Sequence, residues 1–287
     1  MELVSLVAFL ITLRETMEAA LIVGILLAYL TKTQNDSLKR DVWIGALVAV
    51  IVSIIAASFF VVITGGFEGE TEILFEGIIM IVAAVILTHM ILWMFRNAKD
   101  IRNELEDQVN VAISGNRKYA IFSLAFIAVM REGIETVLFI AGITTNEPWS
   151  AVLFSGSIGI IIAIILGIGL FKGSIKLDLS RFFNITSVLL ILFAAGLFAQ
   201  GIHEFQELNW FGASTEMWNE VLWDTSSFLN DKDDGLGSLL RALFGYQDTP
   251  TLVELLSYIG YWLVIGTSYL QITKRPQIFN NIRLIRY

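Results

Sequence analysis

The chain has 287 residues, of which 56% are hydrophobic and 16% are charged, and its mean hydropathy is +0.72. Soluble globular domains carry about 25% charged residues, so this composition excludes the ordinary soluble classes and indicates an integral membrane protein. The net charge is -8, and the lack of cysteine excludes disulfides, thiolate metal sites and catalytic thiols. We expect no nucleic-acid partner.

Seven apolar runs are long enough to be membrane spans, which require roughly 18 or more consecutive apolar residues. They lie, in chain order, at residues 4–30, 41–64, 72–95, 119–143, 150–171, 182–206 and 251–270. The first run is longer than the apolar part of a signal peptide and no basic residue precedes it, so we expect it to be retained as a span. The sequence therefore predicts an all-α membrane protein with a single transmembrane domain over residues 1–287.

Lysine and arginine are distributed unevenly among the connections. Fifteen of the 19 basic residues follow spans one, three, five and seven, so every second connection is basic. Cytoplasmic loops are enriched in basic residues, which predicts an N-terminus outside and a C-terminus inside. We expect the protein in the plasma membrane, which is the inner membrane of a bacterial cell.

The first and fourth runs are interrupted by the same charged motif, Arg-Glu-x-x-Glu. The two copies are Arg14-Glu15-Thr16-Met17-Glu18 and Arg131-Glu132-Gly133-Ile134-Glu135. A charged side chain at the bilayer centre costs about 2.5–3.5 kcal/mol, so three charges in one span require compensating partners. Residues three apart share a helix face, so the two glutamates of each motif can point into the same space.

Each motif begins a set of three spans, and the two sets look like an internal repeat. Repeat one covers residues 1–95, repeat two covers 119–206, an outer amphipathic segment covers 207–250, and the last span follows at 251–270. Small residues recur at four-residue spacing in the middle span of each set: Gly45, Ala49, Ser53 and Ala57 in one, and Ser155, Gly159, Ala163 and Gly167 in the other. Such stripes favour close helix packing. Because each repeat has an odd number of spans, the second must be inverted, which is a recurrent transporter architecture.

The inverted relation predicts that the two motifs meet near the middle of the membrane. At about 1.5 Å per residue, Glu135 should lie outermost, Glu15 and Glu132 near the centre, and Glu18 innermost. Carboxylates are hard ligands that suit Fe³⁺, Mn²⁺, Ca²⁺ or Mg²⁺ and are acceptable to Fe²⁺. The motif arginines, Arg14 and Arg131, would offset part of the negative charge, and we hypothesise that each releases a glutamate when the metal arrives.

Acidic residues also gather at the predicted outer ends of the spans. They are Glu68, Glu70, Glu72 and Glu76 near the start of span three, and Glu204 and Glu207, with Gln200 and His203, at the end of span six. A ring of acids at a mouth concentrates cations, so we interpret them as an outer entrance, with an ordinary solvated loop as the alternative for Glu68 and Glu70. His89, toward the inner end of span three, serves either the exit or a hydrogen bond within the bundle. In the outer segment, Trp210–Trp223 and Leu236–Tyr246 predict interfacial helices.

On its two motifs, the chain resembles the high-affinity iron permease family, the oxidase-dependent iron transporters of fungi and their bacterial relatives. The second motif is close to the family's Arg-Glu-Gly-Leu-Glu, and the first fits the general pattern with threonine where glycine is common. The seven-span layout also matches, as do Gly245-Tyr246 and Pro250-Thr251-Leu252 before the last span. The resemblance therefore covers essentially the whole chain.

The resemblance implies import of Fe²⁺ or Fe³⁺ across the plasma membrane, with the motif glutamates Glu15, Glu18, Glu132 and Glu135 as iron-binding residues. Iron is then the transported substrate, and we expect no prosthetic group. Fungal members work with a multicopper oxidase and many bacterial members with periplasmic iron-handling proteins. An extracytoplasmic iron oxidase or iron-binding protein is therefore an expected partner, besides the lipid bilayer.

Several alternatives remain open on the sequence. Four carboxylates and two arginines sum to -2, which favours Fe²⁺, whereas ligand hardness favours Fe³⁺. Another divalent ion, such as Mn²⁺ or Pb²⁺, is an alternative cargo. The motifs could instead tie helices together, or hold two ions in a membrane-embedded carboxylate enzyme, although such di-iron bundles add histidine at Glu-x-x-His spacing. The chain has no Gly-x-x-x-x-Gly-Lys loop, so we do not expect ATP to drive it directly.

Overall fold

A computed structural model describes residues 4–97, 101–115, 119–145, 147–173, 178–210, 220–230 and 235–274. Regular structure in these ranges is helical apart from an isolated antiparallel bridge between Val221 and Thr251. The helices are α1 (Leu6–Lys32), α2 (Lys39–Thr64), α3 (Glu70–Asn97), α4 (Ile101–Ser114), α5 (Ala120–Thr144), α6 (Trp149–Phe171), α7 (Leu179–Glu207), α8 (Gly235–Phe244) and α9 (Leu252–Lys274), with a short 3₁₀ helix at Asp36–Leu38. The all-α prediction is confirmed.

The seven long helices coincide with the seven apolar runs, and four of them are long and apolar enough to cross a membrane. These four, within the described ranges, are α2 with the 3₁₀ turn before it, α3, α6 and α7. Helices α1 and α5 are not in this group because each carries the three charges of its motif near its centre. Helix α9 is also outside it.

Helix α4 was not predicted, and it lies in the basic connection after α3. Its sequence is too polar for a span, but it packs Val109, Ala112 and Ile113 against the bundle. Val109 is buried with Leu26 and Leu30 of α1 and Ile121 of α5. Helix α4 therefore covers the ends of α1 and α5 that the basic connections predict to be the inner ends.

The outer amphipathic segment differs in part from its prediction. Its second helix is present as α8, which begins one residue before the predicted stretch and ends two residues before its end. The first predicted helix lies mostly outside the described residues, and its described end at 220–223 is extended, with Val221 paired to Thr251. This stretch satisfies its backbone by pairing with the chain before α9 rather than by helix formation.

Helix packing exchanges partners between the two sets of three spans. Helix α1 packs along α6, α2 packs along α5, and α3 packs along α7, while the two motif helices α1 and α5 lie against each other. Exchanging α1, α2 and α3 for α5, α6 and α7 leaves this list of main contacts unchanged.

The small-residue stripes make these exchanged contacts. A Cβ atom on Gly159 of α6 would lie 2.6 Å from the Phe9 carbonyl oxygen of α1, and one on Gly45 of α2 would lie 2.6 Å from the Phe122 carbonyl oxygen of α5. These distances leave no room for a side chain, so the backbones meet directly. The sequence predicted the stripes but not that each one packs on the motif helix of the other set.

The chain after α8 enters the bundle beside α7. Gly245 has a φ of +66°, a conformation that favours glycine, and a Cβ on Gly196 of α7 would lie 2.5 Å from its Cα. Gly196 is eleven residues before the end of α7, a depth of about 16 Å at 1.5 Å per residue. Leu243 of α8 belongs to the main core cluster, together with Tyr261 of α9. The α8 segment is therefore part of the core rather than only a surface element.

Candidate metal centre

Helix α1 is fixed at its start, which sets the depth of its motif. Ser5 caps the helix by accepting from the Ala8 N–H at 3.0 Å, and its own N–H donates to the Ser155 hydroxyl of α6 at 2.8 Å. The Thr12 side chain lies two residues before the motif, and its hydroxyl donates to the Ala8 carbonyl at 2.8 Å while its methyl lies near Gly156 of α6. Helix α1 therefore contacts α6 at Ser5 and again at Thr12.

Three motif carboxylates meet between α1 and α5. One oxygen each from Glu15, Glu132 and Glu135 lies within 4.8 Å of the others. Glu15 is 1% exposed and Glu132 5% exposed, and the side chain of Glu135 is 12% exposed. Within the described part of the chain, the Oε2 atom of each of the three lacks a hydrogen-bond partner. Buried carboxylate oxygens without partners are costly, and a cation bound between them would supply the missing contacts.

Arg14 lies beside this cluster and is fully buried, with a side chain 0% exposed. Its guanidinium contacts Glu15 at 3.0 Å and Glu18 at 2.9 Å. Two methionine sulfurs of α3, from Met90 and Met94, accept from the same two nitrogens at 3.0 Å each. Arg14 is therefore the counter-charge of α1 and also joins α1 to α3.

Arg131 has a different environment although it occupies the same place in its motif. Its Nε donates to Glu135 at 2.9 Å, its guanidinium lies 5.3 Å from the centre of the Trp93 ring, and half of its side chain is exposed. Arg131 and Glu135 also line an open, largely apolar cavity of about 440 Å³ between α3 and α5. The arginine–glutamate pairing predicted from the sequence is thus present in both motifs, but only α1 buries its arginine completely.

The fourth motif glutamate, Glu18, does not belong to the group of three. It is held by Arg14 and is close enough to Glu132 and Glu135 to feel their charges. The sequence treated the four glutamates as one site, and the structure brings three of them together and leaves the fourth on the far side of an arginine. The i, i+4 ion pair with the motif arginine is not the reason, because Glu135 makes the same pair with Arg131. The difference lies in how α1 packs against α5, which brings Glu135 and not Glu18 to the other two carboxylates.

The predicted entrance residues fall into an exposed and a partly buried group. Glu68, Glu70 and Glu72 are exposed. For Glu68 and Glu70 this exposure agrees with the alternative that they belong to an ordinary solvated loop. Glu76 of α3 and Glu204 of α7 are half-buried, and Gly77 and Gly201 let these two helices approach closely there. Glu204 also feels the charges of Glu76 and of the exposed Glu207, and Gln200 is buried one turn deeper. His89 is exposed on α3, so the bundle does not enclose it.

Comparison with known proteins gives a match over nearly the whole chain. Residues 5–273 match the family described as the Iron permease FTR1 family. This chain belongs to that family. The family and the relatives below are named permeases, which are transporters rather than enzymes.

Relatives in this family are similar to the chain over most of their own length. A ferrous iron permease EfeU of Yersinia pestis is 35% identical over 260 residues, which cover 89% of each chain. One of Yersinia pseudotuberculosis is 35% identical over 260 residues, covering 89% of this chain and 88% of the relative. One of Escherichia coli O6:H1 is 35% identical over 263 residues, covering 90% and 91%. No solved structure matches this chain.

His203 does not stand free at the C-terminal end of α7 in this family member. Its Nδ1 lies 2.6 Å from Glu254 of α9, and its Nε2 lies 3.3 Å from Glu207. Glu254 also accepts from the Thr251 N–H at 2.6 Å, while the Thr251 hydroxyl accepts from the Glu254 N–H at 3.4 Å and contacts Gln206. The Thr251 and Glu254 bonds form a capping box, which begins α9 and ties it to α7.

We expect Glu254→Ala to lower the free energy of unfolding by about 1–2 kcal/mol, because it removes an N-terminal helix cap and the partner of His203. Thermal unfolding in detergent, followed by tryptophan fluorescence, measures the change. Glu207→Ala is the matched control, since it removes only an exposed contact to the same histidine and should cost about 0–1 kcal/mol. An equal loss in both variants would contradict the role of the capping box.

Sequence reasoning missed Glu254 and the α3 residues around the arginines. Glu254 had a detectable signal, because Thr-x-x-Glu before an apolar run predicts a capping box. Met90, Trp93 and Met94 had none, because in an apolar span they look like ordinary bundle residues.

Proposed function

We propose that this chain imports iron across the plasma membrane through the group formed by Glu15, Glu132 and Glu135. The observation that carries the proposal is that three carboxylates from two helices, two of them buried and the third 12% exposed, converge within 4.8 Å beside the buried Arg14. Such a group of hard oxygen ligands suits an iron ion. Membership of an iron permease family supports iron as the substrate.

We propose Fe²⁺ as the transported form. Four glutamates and two arginines in the two motifs sum to -2, and a divalent ion neutralises this charge without expelling an arginine. Arg14 interacts electrostatically with all four glutamates, so it would repel the additional positive charge of Fe³⁺. The relatives named ferrous iron permeases point the same way.

The proposed topology is seven spans in two inverted repeats, one domain over residues 1–287, with the N-terminus outside and the C-terminus inside. The symmetric list of helix contacts supports the repeats, and the alternating basic connections support the orientation. The close small-residue contacts lie within the α1–α6 pair and within the α2–α5 pair. We therefore expect these mixed pairs, rather than the sequential repeats, to move as units during transport, with the carboxylates at their boundary.

The partly buried acids Glu76 and Glu204 form the proposed outer mouth, with the exposed Glu68, Glu70, Glu72 and Glu207 around it. Their combined negative charge raises the local concentration of cations. His203 is held by Glu254, so its part is to position the mouth rather than to bind the ion first. An extracytoplasmic iron oxidase or iron-binding protein that delivers iron to this face stays a prediction.

Uptake of radioactive Fe²⁺ into liposomes that contain only this protein tests the proposal. The parent chain should accumulate iron, and Glu132→Gln should reduce the rate about a hundredfold or more, because it removes one of three charged ligands while keeping the shape of the side chain. Glu68→Gln is the matched control at the exposed loop and should keep most of the rate.

Two results would contradict the proposal. One is a parent chain that carries no iron above empty liposomes, and the other is a Glu132→Gln variant that carries iron as fast as the parent. Competition with Mn²⁺ in the same assay separates iron selectivity from general divalent transport.

A further inference from the structure

We propose that Met90 and Met94 of α3 are positioning residues for transport: they hold the Arg14 guanidinium in place while Glu15 turns to the iron ion. The inference rests on the proposed function and assigns to α3, which carries no motif residue, a part in iron binding. The inference concerns the same site as the proposed function but different atoms, so an experiment can contradict the inference without contradicting the proposed function.

The geometry around Arg14 gives each terminal nitrogen two partners of different kinds. Nη1 contacts the Glu15 carboxylate and the Met90 sulfur, both at 3.0 Å. Nη2 contacts the Glu18 carboxylate at 2.9 Å and the Met94 sulfur at 3.0 Å. Met90 and Met94 lie four residues apart and are both buried, so they share the face of α3 that meets the motif of α1. The two sulfurs therefore form a cradle for the guanidinium that is independent of the glutamates.

This cradle matters when iron arrives. When Glu15 turns to the ion it leaves Nη1, and a buried guanidinium nitrogen without a partner is destabilised. In the free protein the glutamates already pair with both terminal nitrogens, so the sulfurs contribute least there. In the iron-bound protein the Met90 sulfur is the partner that Nη1 keeps, while Nη2 keeps Glu18 and the Met94 sulfur. The two sulfurs therefore stabilise the bound state more than the free state and raise the affinity for iron.

Thioether sulfur suits this task better than the common alternatives. It is a weak, uncharged acceptor, so it does not compete with a carboxylate for the arginine in the free state. A carboxylate in its place would add negative charge and offer the ion a competing ligand, and an aliphatic side chain would leave the N–H groups without an acceptor. The methionine pair therefore holds the arginine in place but does not prevent it from pairing with the carboxylates.

The second motif arginine is also held by α3. The Arg131 guanidinium lies 5.3 Å from the centre of the ring of Trp93, which lies between the two methionines in sequence. A cation over an aromatic ring is attracted to the ring itself, so this contact persists when the carboxylate moves away. One turn of α3 thus contacts both arginines.

The competing explanation is that the methionines only fill space, since Met90 is part of the main core cluster. Kinetics of Fe²⁺ uptake in liposomes separate the two explanations. Met90→Leu keeps the size of the side chain and removes the acceptor, whereas Met90→Gln keeps the size and restores an acceptor. Met80→Leu is the matched control, because Met80 is as deeply buried as Met90 and belongs to the same helix and cluster.

We expect the double variant Met90→Leu/Met94→Leu to raise the KM for Fe²⁺ about tenfold, with a maximal rate within about twofold of the parent. Met90→Leu alone should give part of this rise, Met90→Gln should reverse most of that part, and Met80→Leu should leave KM unchanged. The melting temperatures in detergent show whether each variant is folded.

Three results would overturn the inference while the proposed function stands: an unchanged KM in the double variant, a rise of the same size in Met80→Leu, or a Met90→Gln variant as impaired as Met90→Leu. A parent chain that takes up no iron would instead overturn the proposed function, and the inference with it.

Discussion

Replacing Arg14 with methionine should lower the free energy of unfolding by about 3–5 kcal/mol, the cost expected when one partner of a buried ion pair is removed. Arg14 is fully buried and contacts Glu15 and Glu18, so its loss leaves two carboxylates beside a group that already holds Glu132 and Glu135. Methionine matches the unbranched length of the arginine stem, so packing should change little. Thermal unfolding in detergent measures the effect.

Arg131→Met is the natural control for this experiment. It removes the same residue type from the same motif position, but Arg131 pairs with one glutamate rather than two and half of its side chain is exposed, so fewer buried contacts are lost. We expect a smaller loss than for Arg14→Met. Equal losses for the two arginines would mean that burial does not set the strength of these pairs.

The same variants give a second measurement that depends on the metal. A ligand that binds only the folded state raises the melting temperature by mass action. In the Arg14→Met variant a divalent cation is the main source of positive charge near Glu15, so Mn²⁺, used as a stand-in that air does not oxidise, should raise the melting temperature more than in the parent. A smaller rise than in the parent would contradict a metal site at these carboxylates.

Replacing Gly133 with alanine should reduce iron uptake about tenfold or more, because the added methyl group pushes α5, which carries the second motif, away from α2. A Cβ on Gly133 would lie 2.0 Å from the Ser53 hydroxyl oxygen and 2.7 Å from the Ser53 Cβ. Rotating the hydroxyl relieves only the first contact and breaks its 2.9 Å bond to the Ala49 carbonyl. Helix α5 must therefore move away from α2, which shifts Glu132 and Glu135 relative to Glu15.

A second substitution makes this prediction specific. Ser53→Gly in the Gly133→Ala chain removes both clashing atoms and should restore most of the uptake. Gly142→Ala, on the same helix, is the matched control, since its nearest neighbour would be the Ala83 methyl at 3.3 Å. If Ser53→Gly failed to restore transport, a cause other than the α2–α5 contact would have to account for the loss.

Much of the fold follows from the order of residues because the lipid environment leaves few choices. Apolar runs long enough to span a bilayer must be helical, and the predicted ends at residues 41–64 and 150–171 lie within two residues of α2 and α6. Four-residue spacing identified Gly45 and Gly159 as sites of close packing. Their partners could not be predicted, since a stripe of small residues fits any helix of suitable shape.

The candidate site shows the same division between local and long-range information. Spacing alone placed Glu15 and Glu18 on one face of α1 and Glu132 and Glu135 on one face of α5. It could not decide that Glu135 joins Glu15 and Glu132 while Glu18 does not, because both glutamates make the same i, i+4 ion pair and the difference depends on how α1 and α5 pack. The difference between the two arginines has the same origin: their motifs are alike, and only the neighbouring helices make one buried and the other half-exposed.

The exchanged packing has a consequence for how the chain enters the membrane during synthesis. Helices α1, α2 and α3 are made first, yet the main partners of α1 and α2 are α6 and α5, which are made later. Until then α1 must remain in the bilayer with three charges and no α5 beside it. Arg14 pairs with two glutamates of its own helix, so α1 carries its own neutralising contacts into the lipid, and Arg131 and Glu135 give α5 a similar pair. The motif thus supplies each helix with internal ion pairs for insertion, and the same carboxylates become available as ligands once α1 and α5 meet.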